Sequence, residues 1–134
     1  MKEARIITID SRGRIVIPKI VRESLGLEAN SQLYLVADSE SKTITITPMG
    51  LNIKDPYKFK IVMADAPGSL AKLALTFGNL GISIVYGQAM TLIKGKTALW
   101  TLIAPKPENI SLEELKERLM NEGNALEVEY SPLE

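Results

Sequence analysis

Residues 9–27 read IDSRGRIVIPKIVRESLGL, and this stretch decides how the first part of the chain folds. Residues 10–13 have the composition of a tight turn, in which Gly13 can take a positive φ. Residues 14–17, of which the last three are β-branched, predict a short strand. Pro18 then fits the first position of a helix that residues 19–25 continue, and Gly26 stands where such a helix commonly ends.

The residues on either side extend this pattern into a small β-rich unit. Residues 4–10 predict a strand before the turn, and residues 33–37 and 43–47 predict two more strands joined by the polar connection 38–42. Threonine and isoleucine alternate in residues 43–47, so one face of that strand is expected to be buried and the other exposed. A unit of about 48 residues buries too little surface to be stable alone. We therefore expect two copies to complete each other's core.

The stretch 9–27 resembles the AbrB/SpoVT swapped-hairpin family. The shared pattern is an aspartate, a Gly-Arg pair, an apolar triplet, a proline, a later arginine and Leu-Gly-Leu, and it covers most of residues 4–48. The resemblance implies an interleaved homodimer that presents arginines to double-stranded DNA. It carries over Arg14 and Arg22, while Ile7 and Glu23 stand where the family is often basic.

The charge distribution favours the same partner. The net charge is zero, but residues 1–22 carry six Lys or Arg and two Asp or Glu, so a polyanion is expected to meet the N-terminal part. Guanidinium groups bind phosphates and guanine edges through a rigid fork. The alternative is that Arg14 and Arg22 form surface pairs with Asp10 and Glu23. The candidate DNA-binding residues are Arg14, Arg22, Arg12, Arg5 and Lys19.

A second domain follows a break in the pattern. Residues 48–56 contain two prolines, a glycine and an asparagine, which predict a linker over residues 49–56 between domains of residues 1–48 and 57–134. The second domain has the order β-α-β-β-α-β of a ferredoxin-like sandwich. The fold class is therefore α+β: an interleaved swapped-hairpin β-barrel dimer followed by a ferredoxin-like domain. The predicted strands of the second domain are residues 57–63, 82–93, 97–104 and 125–130. Its predicted helices cover residues 69–79 and the stretch after the capping residue Ser111.

Residues 57–131 resemble an ACT domain through two motifs, Asp65-Ala66-Pro67-Gly68-Ser69-Leu70 and Leu80-Gly81-Ile82-Ser83-Ile84. The resemblance implies that an amino acid or a related metabolite binds, often where two such domains meet. Gly68 would let a ligand approach the helix N-terminus, and Asp65 would face its ammonium group. The alternative is a tight turn that only caps the helix. The candidate ligand-binding residues are Asp65, Ala66, Pro67, Gly68, Ser69, Leu70, Ile82 and Ser83.

The composition lowers the expectation of catalysis. The 134 residues include no cysteine and no histidine, which removes the commonest general base, metal ligand and thiol nucleophile. We expect no catalytic residues, no metal and no cofactor. No apolar run approaches the roughly 20 residues of a membrane span, and residues 1–10 lack a signal-peptide pattern. The expectation is a soluble cytoplasmic protein without a membrane partner.

Together these features predict a DNA-binding transcription regulator, responsive to an amino acid or a related metabolite through allosteric coupling. It would be a homodimer, or a tetramer if the ACT-like domains also pair. Two alternatives stay open: an antitoxin-like module that binds both protein and DNA, and a regulatory subunit of an amino-acid biosynthetic enzyme.

Overall fold

A computed structural model describes residues 2–51 and 53–134, and of Leu51 the backbone alone. Residues 1 and 52, which belong to the predicted first domain and the predicted linker, lie outside the described residues. The predicted α+β class is confirmed: within the described ranges, helices alternate with strands of two antiparallel sheets. The chain divides into two compact units, Met1–Asn52 and Ile53–Glu134. None of the helices described is both long and apolar enough to cross a membrane.

The first unit contains the predicted short helix. Helix α1 spans Lys19–Leu25 and ends at Gly26, whose φ of 67° is the left-handed conformation expected of a terminating glycine. The helix begins one residue later than predicted, so Pro18 precedes it as the N-cap residue. Its ψ of 148° is extended, and its carbonyl accepts the backbone N–H groups of Val21 and Arg22 at 3.0 Å each.

A hairpin follows α1, formed by β1 (Ser31–Asp38) and β2 (Thr43–Leu51). Both strands run further than the sequence predicted, and β2 continues through Pro48 into the predicted linker. A bulge lies there, because Leu33 pairs with Pro48 while Gln32 pairs with Gly50. An edge strand tolerates proline, whose missing N–H then breaks no ladder. The predicted linker of residues 49–56 is therefore shortened at its start.

The two strands predicted at residues 4–10 and 14–17 do not form in the single chain. Their connecting turn does form. The N–H of Asp10 donates to the carbonyl of Arg14 at 2.9 Å, and the N–H of Gly13 donates to the carbonyl of Asp10 at 3.0 Å. Beyond the turn, the backbone of residues 2–9 and 15–17 makes no hydrogen bond to any part of the chain that the structure describes. A strand exists only beside a neighbour, so these two arms stay unpaired.

The second unit has the predicted element order. Its sheet is fully antiparallel in the order β4-β5-β3-β6. The predicted strand 82–93 begins four residues late, because the N–H of Ile82 bonds to the carbonyl of Phe77 at the end of the preceding helix. The elements are β3 (Pro56–Ala64), α2 (Ser69–Asn79), β4 (Tyr86–Ile93), β5 (Thr97–Pro105), α3 (Leu112–Asn121) and β6 (Glu127–Pro132).

The core of this unit lies between one face of the sheet and the two helices. Alternate residues of β3 and β5, including Phe59 and Trp100, point to the same side as the buried faces of α2 and α3. Phe77 of α2 packs edge-on against both rings, with centroid distances of 5.7 Å to Phe59 and 5.9 Å to Trp100. Ser111 caps α3 as predicted, since its Oγ accepts the N–H of Glu114 at 3.0 Å.

Candidate nucleic-acid interface and ligand cavities

The turn of residues 10–14 is organised by one carboxylate. Oδ1 of Asp10 accepts the backbone N–H groups of Arg12 and Arg14 at 2.9 Å each, and Oδ2 accepts Nε of Arg14 at 2.8 Å. These bonds, first those from the backbone and side chain of Arg14, lower the pKa of Asp10 below its ordinary value. The side chain of Arg14 stays 67% exposed. The turn therefore holds Arg12 and Arg14 at the surface on either side of Gly13.

The remaining predicted cations also lie at the surface. Lys19 and Arg22 are three residues apart on α1, so they share one face of the helix. The alternative interpretation paired Arg22 with Glu23. In the structure Glu23 pairs with Lys19 instead, with 3.8 Å between Nζ of Lys19 and Oε1 of Glu23. Nε of Arg5 lies 3.4 Å from Oε1 of Glu3. Among the described residues, Arg12 and Arg22 have no ion-pair partner within 4.0 Å.

The described residues of the first unit form no buried core. Not one described side chain in residues 2–50 is buried, and Ile6 and Val16 on the unpaired arms are 99% and 76% exposed. An apolar cleft of about 300 Å³ opens between the arms, α1 and the β1–β2 hairpin. Isoleucine and leucine side chains line most of this cleft, among them Ile7, Ile15, Leu25 and Leu33.

In the second unit, the structure divides the predicted ligand-binding residues between two cavities. The loop cavity, of about 230 Å³, lies beside the β3–α2 loop and is lined by Asp65, Ala66, Gly68, Ser69 and Leu70. The helix-end cavity, of about 490 Å³, lies beyond the end of α2 and includes Ile82 and Ser83. Pro67 lines neither cavity. Ligand contact by these residues stays a prediction.

Asp65 has a structural partner that the sequence did not reveal. Its Oδ2 accepts the N–H of Gly95 at 2.7 Å, and its own N–H donates to the carbonyl of Lys96 at 3.1 Å. The carboxylate thus fixes the β4–β5 turn to the β3–α2 loop. It is not the N-cap residue of α2: that position is held by Gly68, which has a φ of 87°, and no side chain makes a capping bond. The alternative interpretation, a tight turn that only caps the helix, therefore stays open: Gly68 occupies the cap position, and Asp65 stabilises the loop.

The helix-end cavity contains charged residues that sequence reasoning missed. Lys106 and Glu108, from the β5–α3 loop, line it together with Asn79 and Asn109. A cation, an anion and two amides are the groups that bind a zwitterion. No motif marks these four residues, because the end of α2 and the β5–α3 loop, which are distant in sequence, bring them together.

The geometry defines the class of the first unit: a small β-rich domain, incomplete as a single chain, with a basic turn and a basic helix face. Residues 6–54 match a family model described as "Antidote-toxin recognition MazE, bacterial antitoxin". The chain is also 32% identical over 75 residues to the transcriptional regulator MraZ of Shewanella woodyi, and 41% identical over 46 residues to that of Shewanella loihica. These matches support the predicted N-terminal domain of the swapped-hairpin, DNA-binding type.

The extent of these similarities is limited. The two MraZ alignments cover 56% and 34% of this chain, and 49% and 30% of the relatives' own lengths. Among solved structures, an uncharacterized Thermotoga maritima protein superposes with a TM-score of 0.46 and 19% identity, covering 60% of this chain and 98% of its own. Prephenate dehydratase from Streptococcus mutans superposes with a TM-score of 0.45 and 16% identity. This superposition covers 95% of the present chain and 70% of the dehydratase chain. Likenesses at these TM-scores carry no weight for function.

Proposed function

We propose that the chain is a DNA-binding transcription regulator that acts as an interleaved homodimer and responds to an amino acid or a related metabolite through its second unit. The observation that carries the proposal is the first unit, which matches the MazE family model over residues 6–54 and has no buried side chain among its described residues.

The dimer follows from what the single chain leaves unsatisfied. The arms 2–9 and 15–17 expose β-branched side chains, and their backbone groups have no ladder partner among the described residues. Large exposed apolar patches mark association surfaces, and unpaired strands are templates for another chain. A second copy would supply both the missing ladder and the apolar side chains that fill the cleft.

The oligomeric state tests this step. Ile15→Glu places a charge in the apolar cleft, and we expect it to dissociate the dimer in size-exclusion chromatography with light scattering. Thr45→Glu adds the same charge to an exposed position of β2 and should leave the mass unchanged. A wild-type chain that is monomeric at micromolar concentration would end the proposal of an interleaved dimer.

DNA binding follows from doubling the basic surface across a two-fold axis. Each copy contributes Arg12 and Arg14 from the turn and Arg22 from α1, and phosphate contacts dominate the affinity of such surfaces. Log affinity for duplex DNA should therefore fall linearly with log salt, by roughly 0.9 for each phosphate contacted. Fluorescence anisotropy over a salt series measures this slope. An affinity that does not change with salt would contradict the proposal.

The two edges of the second unit's sheet differ in a way that supports pairing through β4. Strand β4, Tyr86–Ile93, has no charged residue and no proline, and Met90 and Ile93 are 54% and 56% exposed. Strand β6 has Glu127, Glu129 and Pro132, which protect an edge from pairing. Two β4 strands related by a two-fold axis would run antiparallel. The start of one strand, with its helix-end cavity, would then lie beside the loop cavity of the other.

This pairing would reunite the predicted ligand residues in one site shared by two copies. Asp65 of one copy would face Ile82 and Ser83 of the other, and the helix-end cavity would add Lys106 and Glu108. A carboxylate and an ammonium group have complementary partners in that set. Differential binding of the ligand to two arrangements of the dimer would then couple it to DNA affinity.

A thermal-shift screen of the twenty amino acids tests the sensing half. At least one amino acid is expected to raise the melting temperature, because a ligand that binds only the folded state stabilises it. Asp65→Asn keeps an acceptor for Gly95 but removes the charge, so it should weaken the shift while preserving DNA binding without ligand. If no amino acid shifts the wild type, the sensing half fails and the DNA-binding half stands.

The family match favours antitoxin function as a second candidate, because the matched model describes toxin recognition. An antitoxin would form a stable complex with a toxin protein, seen as an increase in mass on mixing. Its DNA affinity would respond to that protein and not to amino acids. The same anisotropy assay, with either addition, separates the two candidates.

A further inference from the structure

Trp100 is almost entirely buried, yet the hydrogen-bonding group of its ring has no partner among the residues that the structure describes. The residue is 6% exposed and packs edge-on against Phe77. Within the described ranges, no acceptor bonds to its indole Nε1. Nevertheless, no fully buried nitrogen or oxygen of a described side chain lacks a partner. The indole N–H therefore reaches the surface through an opening in an otherwise closed core.

The opening lies at Gly87, on the edge strand β4. A Cβ atom at this glycine would lie 3.0 Å from Nε1 and 3.8 Å from Cε2 of Trp100. That is tighter than nine in ten real Cβ contacts, so any other residue would press a side chain against the indole nitrogen. The glycine has no positive φ that would explain its presence by backbone conformation. The absence of a side chain here instead leaves a buried donor accessible.

We propose that Trp100 is a ligand-binding residue of the second unit, and that its indole N–H donates to a carboxylate or carbonyl oxygen of a small molecule seated over Gly87. This inference rests on the proposed sensing function and names a residue that the sequence predictions assigned to none of the binding sites. Because water reaches the indole N–H, an acceptor that replaces it adds only the net free energy of one hydrogen bond, which is larger when the acceptor is charged.

The direction of the donor distinguishes a small molecule from a second sheet. Gly87 pairs with Leu102, a core residue, so its missing side chain lies on the helix-bearing face of the sheet. Side-chain directions are perpendicular to a sheet, whereas the hydrogen bonds of a paired edge lie in its plane. Backbone carbonyls of a second copy paired with β4 would therefore not reach Nε1. An acceptor above the sheet face would.

The chain's single tryptophan makes the site directly measurable. Acrylamide, a small amide with a carbonyl oxygen, should quench the emission of Trp100 through the opening. Gly87→Ala should reduce the quenching constant about two-fold, because the added methyl group fills closely packed space beside Nε1. Gly78→Ala is the matched control, since a Cβ there meets nothing within 4 Å. Equal quenching of the wild type and Gly87→Ala would overturn the proposal.

The second arm uses whichever amino acid raises the melting temperature of the wild type. Trp100→Phe keeps the aromatic packing but lacks the N–H, and we expect its affinity to fall about ten-fold, the loss of one hydrogen bond to a charged acceptor. If Trp100→Phe does not fold, Gly87→Ala should give the same loss.

The outcomes separate this inference from the proposed function. Binding by the wild type with unchanged affinity in Trp100→Phe or Gly87→Ala would overturn the role of Trp100 and leave the sensing function intact. A wild type that binds no amino acid would overturn both.

Discussion

Nε of Arg14 donates to Oδ2 of Asp10 at 2.8 Å, while the backbone N–H of the same arginine donates to Oδ1 of that carboxylate at 2.9 Å. The aspartate therefore binds both ends of one residue and fixes the turn that precedes α1. The terminal amino groups of the guanidinium remain for another partner. The ion pair and a DNA contact are thus compatible, although the sequence presented them as alternatives.

Replacement of Arg14 tests the proposed interface. Arg14→Ala should weaken DNA binding and reduce the slope of log affinity against log salt by roughly 0.9 for each phosphate that the variant no longer binds. Arg118→Ala removes the same charge from α3 of the second unit and is the matched control. Both variants should keep the dimer. An affinity for DNA that Arg14→Ala leaves unchanged would refute the assignment.

The turn should also respond to acid. The pKa of Asp10 in the folded chain lies below its ordinary value, because Arg14 and then Arg12 donate hydrogen bonds to the charged form. A lowered carboxyl pKa contributes stability above the unfolded pKa, and this stability is lost as the pH falls through the folded pKa. The side-chain carboxyl signal of Asp10 in NMR measures this titration. Arg14→Ala should raise the pKa toward the ordinary value, and no upward movement would contradict the bonding.

Two glycines at opposite ends of α2 should respond oppositely to the same substitution. A Cβ at Gly68 or Gly78 would meet nothing within 4 Å, so the contrast isolates backbone conformation. Gly68→Ala should cost about 1 kcal/mol, because a φ of 87° is unfavourable for an L side chain. Gly78→Ala should stabilise by about 0.5 kcal/mol through reduced unfolded-state entropy. Urea unfolding followed by Trp100 fluorescence measures both in the second unit.

The aromatic core of the second unit gives a larger effect. Phe77 is fully buried between Phe59 and Trp100, so Phe77→Ala should destabilise the unit by roughly 3–5 kcal/mol, or prevent its folding. Leu75, two residues earlier on α2, is 62% exposed. Leu75→Ala should change stability by less than about 0.5 kcal/mol. A cost for Leu75→Ala similar to that for Phe77→Ala would show that another surface covers this face of the helix.

Much of the local structure could be predicted from the sequence, because short-range interactions decide it. Helix α2 has the predicted bounds, α1 begins one residue later than predicted, and Ser111 caps α3 as its spacing to Glu114 indicated. The β-α-β-β-α-β order of the second unit follows from hydrophobic periodicity and turn residues. Strand ends were less predictable: β2 passes Pro48 and β4 begins after residue 85, because pairing partners and not propensity set those limits.

The candidate sites were predictable in residue type but not in arrangement. The sequence found the basic turn and the β3–α2 loop, yet it did not separate the loop cavity from the helix-end cavity. It also missed that Asp65 bonds to Gly95, thirty residues away. Contacts at such separation depend on how strands and loops pack, and no local pattern encodes them.

The sequence by itself determined where helices start and stop, where turns fall and which end of the chain is basic, since each depends on residues a few positions apart. Only the tertiary structure decided that residues 2–9 and 15–17 lack ladder partners within one chain, and that Gly87 opens a path to the indole of Trp100. Strand pairing and close packing join residues distant in sequence, so the complete three-dimensional fold selects them.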